Sequence, residues 1–519
     1  MYDAEAIVIG GGHNGLICAA YLAKAGVTTI LVEARDSVGG CASTVADMGA
    51  RFNICACDHS LIRAMPLIDE LNLSSHGLDY LEPEATYVNA FHENSGSWVF
   101  YHDSNQTMDG LSITHPSEVA NYKRYLEDAI PVAKLVIEIA QSGASMTEFL
   151  QVASRKRMKG VSKLLRWSKA SAVDVFKDYF DDWHLYMPGI STGPTVWGAP
   201  PEAPGTGLAA TVYATRHLIA SGRPRRGSGS LPDAILKSYL SHGGQVRLKS
   251  IVEKLQVENN KVKAVELQDG SVIEAPTVIA ACDPHTVLVN WIDEAPVSAK
   301  SLISRWQKEP APEGYESKLD GIVQNLPTYK FMSELTGKFD HTDLTQSTVI
   351  ISPSPEKLKE AHILKDQGLI SDQPTMLASI PSALDPEMKA DNGLHTFGLE
   401  VLFTPYSLNG GWKGSQQPDR WLDIWGNVMD GDFRSQITKW RAMTPEIYER
   451  DFFMPKGHSP GYAASPLATL VGRSRELSRY KTPIKGLYLT GAGTFPGAGI
   501  FGAPGTNTAK TVLKSISSS

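Results

Sequence analysis

The chain has 519 residues, with 49 Lys and Arg against 56 Asp and Glu and a formal net charge of −7. This length exceeds one hydrophobic core and predicts two closely connected domains. The 42% hydrophobic and 20% charged residues are typical of a soluble globular enzyme. The acidic balance argues against nucleic acid as a partner, because phosphate binding needs a basic surface.

The five cysteines are scattered and include no CxxC spacing, so we interpret them as free thiols in a reducing compartment rather than metal ligands. The first predicted strand begins within six residues of Met1, which leaves no room for a secretory signal. No apolar run approaches the ~20 residues of a membrane-spanning helix. We therefore expect a cytoplasmic protein without a metal site.

The N-terminus predicts a nucleotide-binding turn between a strand and a helix. Residues 6–9 form a short apolar strand pattern that leads into the GxGxxG motif at 10–15. Gly10 permits the tight turn, and Gly12 lets the backbone approach a pyrophosphate. Gly15 lets the following helix pack close to the strand.

The same unit continues through a second strand to an acidic residue. The helix N-terminus around Asn14 offers free N–H groups and a positive dipole end to phosphates. A second strand over 28–32 ends at Glu33, whose carboxylate can accept hydrogen bonds from both ribose hydroxyls of an adenosine. Strand, glycine turn, helix, strand and acid in this order predict dinucleotide binding.

A second glycine pair, Gly39 and Gly40, follows Glu33 by six residues and allows the main chain to run close to a longer cofactor. Here the sequence resembles the FAD-dependent amine oxidase and phytoene desaturase superfamily, which carries this acid-x5-Gly-Gly pattern. The resemblance implies an α/β fold with a Rossmann-like FAD-binding domain of the amine-oxidase type and an interleaved α+β substrate domain. It also implies that Ala34 and Arg35 help to bind the FAD.

The segment after the glycine pair supplies a candidate pocket residue. The apolar spacing between residues 48 and 73 predicts a helix. In the resembled superfamily the stretch 53–59 passes near the flavin, which makes His59 a candidate for the pocket and for proton transfer. The alternative, a buried histidine satisfied by backbone groups, stays open.

Residues 76–221 differ in sequence pattern from the glycine-rich N-terminal part of the chain. Strand patterns at 85–88 and 97–101 precede a long helical pattern over 116–141. The segment 155–169 then holds seven basic residues, no acid and interleaved apolar residues. Two interpretations remain open: an amphipathic segment that contacts an anionic membrane or lines the entry for a lipophilic substrate, or a solvated helix face packed on the second domain.

The next part of the chain predicts the return to the cofactor domain. A Gly/Pro-rich loop at 198–207 precedes a helix over 231–241. Alternating residues over 245–273 predict a small antiparallel meander, and 277–281 predicts a buried parallel strand of the main sheet. The resemblance implies that the backbone at Val252 faces the adenine.

Residues 293–470 are mixed. The sequence predicts strands at 329–332, 348–351 and 397–403, and helices over 421–441 and 446–450.

The C-terminal region predicts a strand over 486–490, a glycine-rich run to 505 and a helix that begins near Pro504. This run resembles the C-terminal motif of phytoene-desaturase-like FAD oxidoreductases. The resemblance places Gly491, Ala492, Gly499 and Ile500 against the cofactor. No cysteine stands in the motif, which excludes a thioether link to the flavin there, so we expect non-covalent FAD.

The substrate side departs from the relatives. Phe495 stands where they commonly have His, and Phe501 and Thr506 stand where they often have Ser and Arg. We interpret Phe495 and Phe501 as residues that hold the substrate against the flavin. The segment around His458 matches the relatives' pocket only loosely, which keeps His458 as a second candidate for proton transfer.

These patterns predict a discontinuous FAD domain of residues 1–75, 222–292 and 471–519. The substrate domain is predicted to comprise 76–221 and 293–470. The predicted function is removal of a hydride from a C–H bond of a mostly apolar small molecule, with oxygen, a quinone or NAD(P) as electron acceptor. The alternatives are an amine oxidase, a flavin-dependent polyene isomerase and, with least support, a prenyl-protein carrier resembling Rab GDP-dissociation inhibitors.

Overall fold

A computed structural model describes residues 2–55, 57–143, 145–193, 198–336, 342–458, 469, 472 and 474–518. Within them the strands are β1 (Ala6–Ile9), β2 (Thr29–Val32), β3 (Thr44–Asp47), β4 (Ala50–Asn53), β5 (Tyr80–Leu81), β6 (Ala85–Phe91), β7 (Trp98–Tyr101), β8 (Arg223–Pro224), β9 (Gln245–Arg247), β10 (Val252–Glu258), β11 (Lys261–Leu267), β12 (Val272–Glu274), β13 (Thr277–Ala280), β14 (Glu316–Val323), β15 (Thr348–Ser352), β16 (Met376–Ser379), β17 (His395–Leu402), β18 (Ile437–Met443) and β19 (Leu487–Leu489).

The α-helices in the same residues are α1 (His13–Lys24), α2 (Leu67–Glu70), α3 (Ser104–Thr114), α4 (Val119–Ser142), α5 (Met146–Arg155), α6 (Val161–Trp167), α7 (Ala172–Lys177), α8 (Trp183–Ser191), α9 (Val212–Leu218), α10 (Ser230–Ser241), α11 (Lys300–Trp306), α12 (Lys330–Thr336), α13 (Pro355–Asp366), α14 (Pro381–Leu384), α15 (Gln417–Asn427), α16 (Pro445–Phe452), α17 (Arg475–Ser478) and α18 (Ala503–Ile516). None of the described helices is both long and apolar enough to cross a membrane.

A five-stranded parallel sheet in the order β19-β13-β1-β2-β9 forms the first layer. Both of its faces are covered, as parallel sheets require. Alternate residues of β1 face opposite sides: Ala6 and Val8 pack in the cluster with α1, α10 and α18, whereas Ile7 and Ile9 pack with the meander β10-β12. The strands come from all three predicted segments of the FAD domain, although the domain boundaries themselves stay a prediction.

The predicted meander over 245–273 is wrong in its first strand. β9 pairs in parallel with β2 at the edge of the main sheet, and only β10, β11 and β12 form the antiparallel meander. The hydroxyl of Tyr239 in α10 explains this placement, because it lies 2.9 Å from the carbonyl oxygens of both Thr29 and Gln245. Alternation along a single strand cannot reveal which sheet accepts it.

A seven-stranded sheet in the order β18-β14-β17-β16-β15-β6-β7 forms the second body of structure. Its neighbouring strands are antiparallel except for β6 and β15, which are parallel. One apolar core packs α4, α7 and α9 against the sheet, and a second packs the tryptophans of α15 against it. The strands predicted at 348–351 and 397–403 are confirmed in β15 and β17.

Two predictions in this region are wrong. The helix predicted over 421–441 ends at Asn427, and the residues from Ile437 onward form β18. The strand predicted at 329–332 is the start of α12, where buried Phe331, Met332 and Leu335 follow helical spacing. A short apolar run fits either period, so pattern alone does not separate the two structures.

The helix predicted after residue 59, from the apolar spacing at 61–73, is wrong as a continuous element. After the hairpin β3-β4, the chain forms a 3₁₀ turn at Leu61–Ala64 and then only the single-turn helix α2. Pro66 separates the turn from α2, and Met65 before it is extended, with ψ 140°. A residue that precedes proline avoids the helical region, which explains the interruption.

The basic segment 155–169 is not one helix, because α5 ends at Arg155 and α6 begins at Val161. Its apolar residues Val161, Leu164 and Trp167 are buried. Several of its basic side chains form ion pairs with the protein's own acids, among them Lys163 with Asp128 at 2.6 Å. This is the geometry of a solvated face packed on the protein, and membrane contact stays a prediction.

Helices α1 and α18 approach closely because α18 carries a glycine, Gly505, at the crossing. A Cβ on Gly505 of α18 would lie 2.3 Å from the carbonyl oxygen of Asn14 in α1. A Cβ on Gly502 would lie within 2.8 Å of three side chains of the same core, those of Ile17, Ile62 and Leu67.

We expect Gly505→Ala to lower the free energy of unfolding by about 1–3 kcal/mol, because the added methyl group overpacks the crossing. The matched control is Gly426→Ala in α15, where a Cβ would meet nothing within 4 Å. That substitution should leave the unfolding free energy unchanged or raise it by up to about 1 kcal/mol through helix propensity. Denaturant unfolding of both variants measures the difference, and equal midpoints would contradict the packing explanation.

Candidate functional site

The glycine turn between β1 and α1 forms the floor of a groove. Gly10 adopts φ +98°, and a Cβ on Gly15 would lie 2.0 Å from the carbonyl oxygen of Gly10. A Cβ on Gly12, by contrast, would meet nothing within 4 Å. Gly10 and Gly15 are therefore required by the fold, whereas the space beside Gly12 is open for a ligand.

Glu33 is fixed at the end of β2 beside this turn. One carboxylate oxygen accepts the N–H of Gly11 at 2.6 Å and the other accepts the N–H of Arg35 at 2.9 Å. Each oxygen keeps a free lone pair, as contact with ribose hydroxyls requires. The Arg35 guanidinium donates to Ser43 at 3.0 Å and lies 4.2 Å above the ring of Phe452. Ala34 between them is half-buried.

The second glycine pair lies directly beside the first motif. The N–H of Gly39 donates to the carbonyl of Gly11 at 2.8 Å, and Gly39 forms an isolated bridge with Gly12. Gly39 and Gly40 have φ values of +124° and +54°, and a Cβ on Gly40 would lie 3.2 Å from the Cα of Gly12. The two motifs predicted from sequence therefore share one wall.

The C-terminal glycine run closes the opposite wall. The N–H of Thr490 donates to Ala280 at 2.9 Å, which sets the following Gly491 and Ala492 at the carboxyl edge of the sheet. His13 in the first turn of α1 hydrogen-bonds the backbone of Gly499, and the N–H of Ile62 donates to Ile500 at 3.1 Å. The structure thus brings the N-terminal and C-terminal motifs together.

Val252 opens β10 at the other end of the groove. Two residues before it, the N–H of Ser250 donates to the carbonyl of Glu33 at 2.9 Å. The adenosine end predicted at Glu33 and the residue predicted to face the adenine are therefore neighbours.

These residues fit an extended nucleotide. The first turn of α1 carries no side-chain cap and no acidic residue, so its N–H groups remain available to phosphates. The open space at Gly12 lies at that helix end, with a carboxylate on one side and the second glycine pair on the other.

His59 is fully buried, and both of its ring nitrogens have partners. Nδ1 lies 3.1 Å from the Tyr80 hydroxyl and Nε2 lies 3.1 Å from the Ser228 hydroxyl. Burial lowers its pKa to about 3. His59 is therefore a buried histidine whose hydrogen bonds are satisfied, by side-chain hydroxyl groups rather than by the backbone groups expected from the sequence. Neither nitrogen is free to accept a proton from a substrate.

The other predicted pocket residues lie apart from one another. Phe501 is 6% exposed in the apolar core around α1. Phe495 is half-buried, and its carbonyl accepts the Tyr480 hydroxyl at 2.9 Å. His458 lies edge-on to Tyr315 with ring centroids 6.3 Å apart, burial lowers its pKa, and the pocket segment that follows it at 459–468 lies outside the described residues.

A cluster of charged residues that the sequence analysis missed lies between the hairpin β3-β4 and the seven-stranded sheet. Lys318 and Asp320 are buried in it, whereas Glu316 and Glu400 are half-buried. Glu316, Lys318 and Asp320 project from one face of β14, and Glu400 of β17 stands opposite Lys318. A small cavity there has a free volume of about 20 Å³, close to that of one water molecule. The cavity is lined by Arg51, Phe52, Asn53, Cys55, Cys57, Lys318, Asp320, Leu377, Ser379, Pro381, Thr396, Phe397, Gly398 and Glu400.

The basic residues of this cluster form ion pairs with some of its acidic residues. Lys318 pairs with Asp320 and donates to the carbonyl of Asn53, and Arg441 pairs with Asp320 at 3.0 Å. Burial raises the pKa of Glu400 to about 7 and that of Glu316 well above its usual range. The signal in the sequence was three charges at alternate positions, 316, 318 and 320, inside a stretch that forms a strand.

Comparison with known proteins identifies the class. Residues 15–317, more than half of the chain, match the family described as flavin containing amine oxidoreductase. Pyridine nucleotide-disulfide oxidoreductase domain-containing protein 2 of Rattus norvegicus is 26% identical, covering 99% of this chain and 94% of that protein. The lycopene-forming phytoene desaturase of Pantoea ananas is 27% identical over 96% of both chains.

Among solved structures, cyclohexylamine oxidase from Brevibacterium oxydans IH-35A superposes with a TM-score of 0.58 and 14% identity, covering 99% of this chain and 100% of that chain. The protein is therefore a flavin-dependent oxidoreductase with the amine-oxidase fold. It belongs to the flavin containing amine oxidoreductase family. The family resemblance and the fold class predicted from the sequence are confirmed.

We expect Gly12→Ala and Gly15→Ala to separate cofactor binding from folding. The Gly12 substitution fits the protein, because its Cβ meets no neighbour and its φ of −64° suits alanine. Its unfolding free energy without cofactor should stay within about 1 kcal/mol of the parent, while flavin retention falls. Gly15→Ala should lower the unfolding free energy of the cofactor-free protein itself. Thermal melts and the flavin-to-protein absorbance ratio measure both effects, and full flavin retention in Gly12→Ala would contradict the assignment.

The burial of His59 predicts loss of stability in acid. The unfolded chain binds a proton at its ordinary pKa of 6.5, whereas the folded protein binds one only near pH 3. The stabilisation is complete above the unfolded value and is lost as pH falls, by about 2 kcal/mol at pH ~5. His59→Gln should be less stable at neutral pH but lose less stability on acidification. Urea unfolding across this range measures both slopes, with exposed His242→Gln as control, and parallel slopes would contradict the prediction.

Proposed function

We propose that the protein binds FAD non-covalently and removes a hydride from a C–H bond of a small, mostly apolar molecule. The observation that carries the proposal is the groove in which the two N-terminal glycine motifs and the C-terminal glycine run meet around the open space at Gly12. When bound, the flavin accepts the hydride.

The assignment of FAD rests on the ends of the groove. Glu33 presents free lone pairs where an adenosine ribose would lie, and a carboxylate there disfavours a 2′-phosphate. The first turn of α1 would hold the pyrophosphate, and Gly39 and Gly40 would lie along the ribityl chain. The C-terminal run near Gly491 and Gly499 would hold the flavin ring system.

The substrate class rests on the surroundings of the cavity between β4 and the seven-stranded sheet. Phe52, Leu377 and Phe397 supply an apolar lining, and the carboxyl groups of Asp320 and Glu400 supply one polar end. The cavity has room for about one water molecule, so it would receive at most the polar end of a substrate whose apolar body lies outside it. The relative named for phytoene desaturation supports a hydrocarbon substrate.

An amine substrate is the second candidate. Glu400 lines the cavity and forms no ion pair within the described residues, so its carboxylate would attract an ammonium group there. Oxidation would then give an imine in place of an alkene. The structure shared with cyclohexylamine oxidase is compatible with this reaction.

The first experiment is the visible spectrum of the purified protein before and after acid precipitation. We expect a flavin spectrum that moves entirely to the supernatant and co-migrates with FAD. A chromophore that stays with the precipitate would contradict non-covalent binding. A colourless protein that cannot be reconstituted with FAD would overturn the proposal.

The second experiment is anaerobic mixing with a panel of amines and polyenes that includes cyclohexylamine and phytoene. Bleaching of the oxidised flavin by one compound class identifies the substrate. A flavin that no compound reduces overturns hydride removal, and conversion that occurs only after chemical reduction of the flavin supports the isomerase alternative instead.

A further inference from the structure

Glu316 and Glu400 are the two half-buried acids of the charged cluster. Asp58 pairs with Arg223 at 2.7 Å, and Asp320 is shared by Lys318 and Arg441. Within the part of the chain that the structure describes, neither Glu316 nor Glu400 has a hydrogen bond or an ion pair. Within that part of the chain, their carboxyl groups are therefore available to a ligand or to water.

The two carboxyl groups are close enough to interact. Lys318 stands directly opposite Glu400, and Glu316 is two residues before Lys318 on the same strand, so the glutamates are diagonal neighbours on one face. Two negative charges at this spacing on a partly buried face oppose each other's ionisation. Burial and the neighbouring acids accordingly raise the pKa of both glutamates.

The pair also adjoins the cofactor groove. Cys41 follows Gly40 directly, its thiol neighbours that of Cys55, and a charge on Cys41 acts on Glu316. Cys55 and Glu400 both line the small cavity. The path from the second glycine pair to Glu400 thus passes through the two thiols of Cys41 and Cys55 and a space for one water molecule.

Charged and titratable groups from several elements face the pair. Lys318 lowers the pKa of both glutamates, while burial and the neighbouring acids raise it. Three sets of groups face the pair. The first is Lys318 and Asp320 of β14 with Tyr315 before it, the second is Cys41, Cys55, Cys57 and Asp58 near the hairpin β3-β4, and the third is Arg441 of β18 and Tyr448 of α16.

Building on the proposed function, we propose that the Glu316 and Glu400 pair takes up the proton that the substrate loses, with Glu400 as the acceptor. Dehydrogenation breaks two bonds: one C–H bond loses its hydrogen as hydride to the oxidised flavin, and the adjacent C–H or N–H bond loses a proton. The electrons of the second bond form the C=C or C=N bond. The proton bonds to a carboxylate oxygen of Glu400, directly or through one water molecule, and passes later to solvent.

Glu400 suits this role better than the histidines predicted from sequence. It lines the cavity, whereas both nitrogens of His59 are occupied by hydroxyl groups. Burial and the charge of Glu400 raise the pKa of Glu316 well above its usual range, which disfavours a second negative charge beside Glu400.

The first test needs no substrate. Infrared difference spectra of the flavin-loaded protein between pH ~5 and pH ~9 should show a protonated carboxyl band that disappears with a midpoint near 7. Glu400→Gln should abolish this titrating band, whereas Glu316→Gln and the surface variant Glu446→Gln should keep it. A parent spectrum without such a band, or a band that persists in Glu400→Gln, overturns the proposal.

The second test uses the substrate that reduces the flavin. The reduction rate of the parent should rise with pH through the same midpoint, and Glu400→Gln should lower it by about 10²- to 10⁴-fold and remove the pH dependence. Glu316→Gln should keep the pH dependence. A Glu400→Gln protein with the parent's rate and pH profile overturns the proton-acceptor role alone, whereas a parent that no substrate reduces overturns the proposed function and this role together.

Discussion

Close backbone contacts at the carboxyl edge of the parallel sheet determine how the other parts of the molecule are arranged. Gly15 approaches the carbonyl of Gly10 so closely that no Cβ fits, and Gly505 does the same against Asn14. These contacts bring the N-termini of α1 and α18 side by side. The groove is open because the two helix N-termini and two glycine turns that line it carry no side chains that would fill it.

The second sheet meets this region through ion pairs as well as through small apolar clusters such as that of Phe52 with Ile322. Lys318, Asp320 and Arg441 form a chain of ion pairs that reaches the hairpin β3-β4 through the carbonyl of Asn53. Buried ion pairs gain little net stability, because desolvation offsets their attraction. Their effect here is geometric: they fix the orientation of β14 against the hairpin, and with it the position of the two unpaired glutamates.

In the proposed reaction the two products of dehydrogenation would leave by separate routes: the groove would hold the group that takes the hydride, and Glu400 would take the proton. Burial raises the pKa of Glu400 to about 7, whereas an exposed glutamate titrates in acid. His59, buried between Tyr80 and Ser228, holds the segment after the hairpin in place instead.

The sequence by itself determined the local units: the glycine turn from β1 to α1, Glu33 at the end of β2, the buried strand β13 and the glycine-led helix α18. Each rests on interactions between residues near in sequence, such as a φ that only glycine adopts readily or the period of a buried face. It failed where the partner decided the outcome: β9 joined the parallel sheet rather than the meander, and residues 329–332 became helical. Only the tertiary structure could bring the carboxyl pair together, because Glu316 and Glu400 are far apart in the chain. The nearby bases Lys318, Arg441 and Arg223 form their ion pairs with other acids instead.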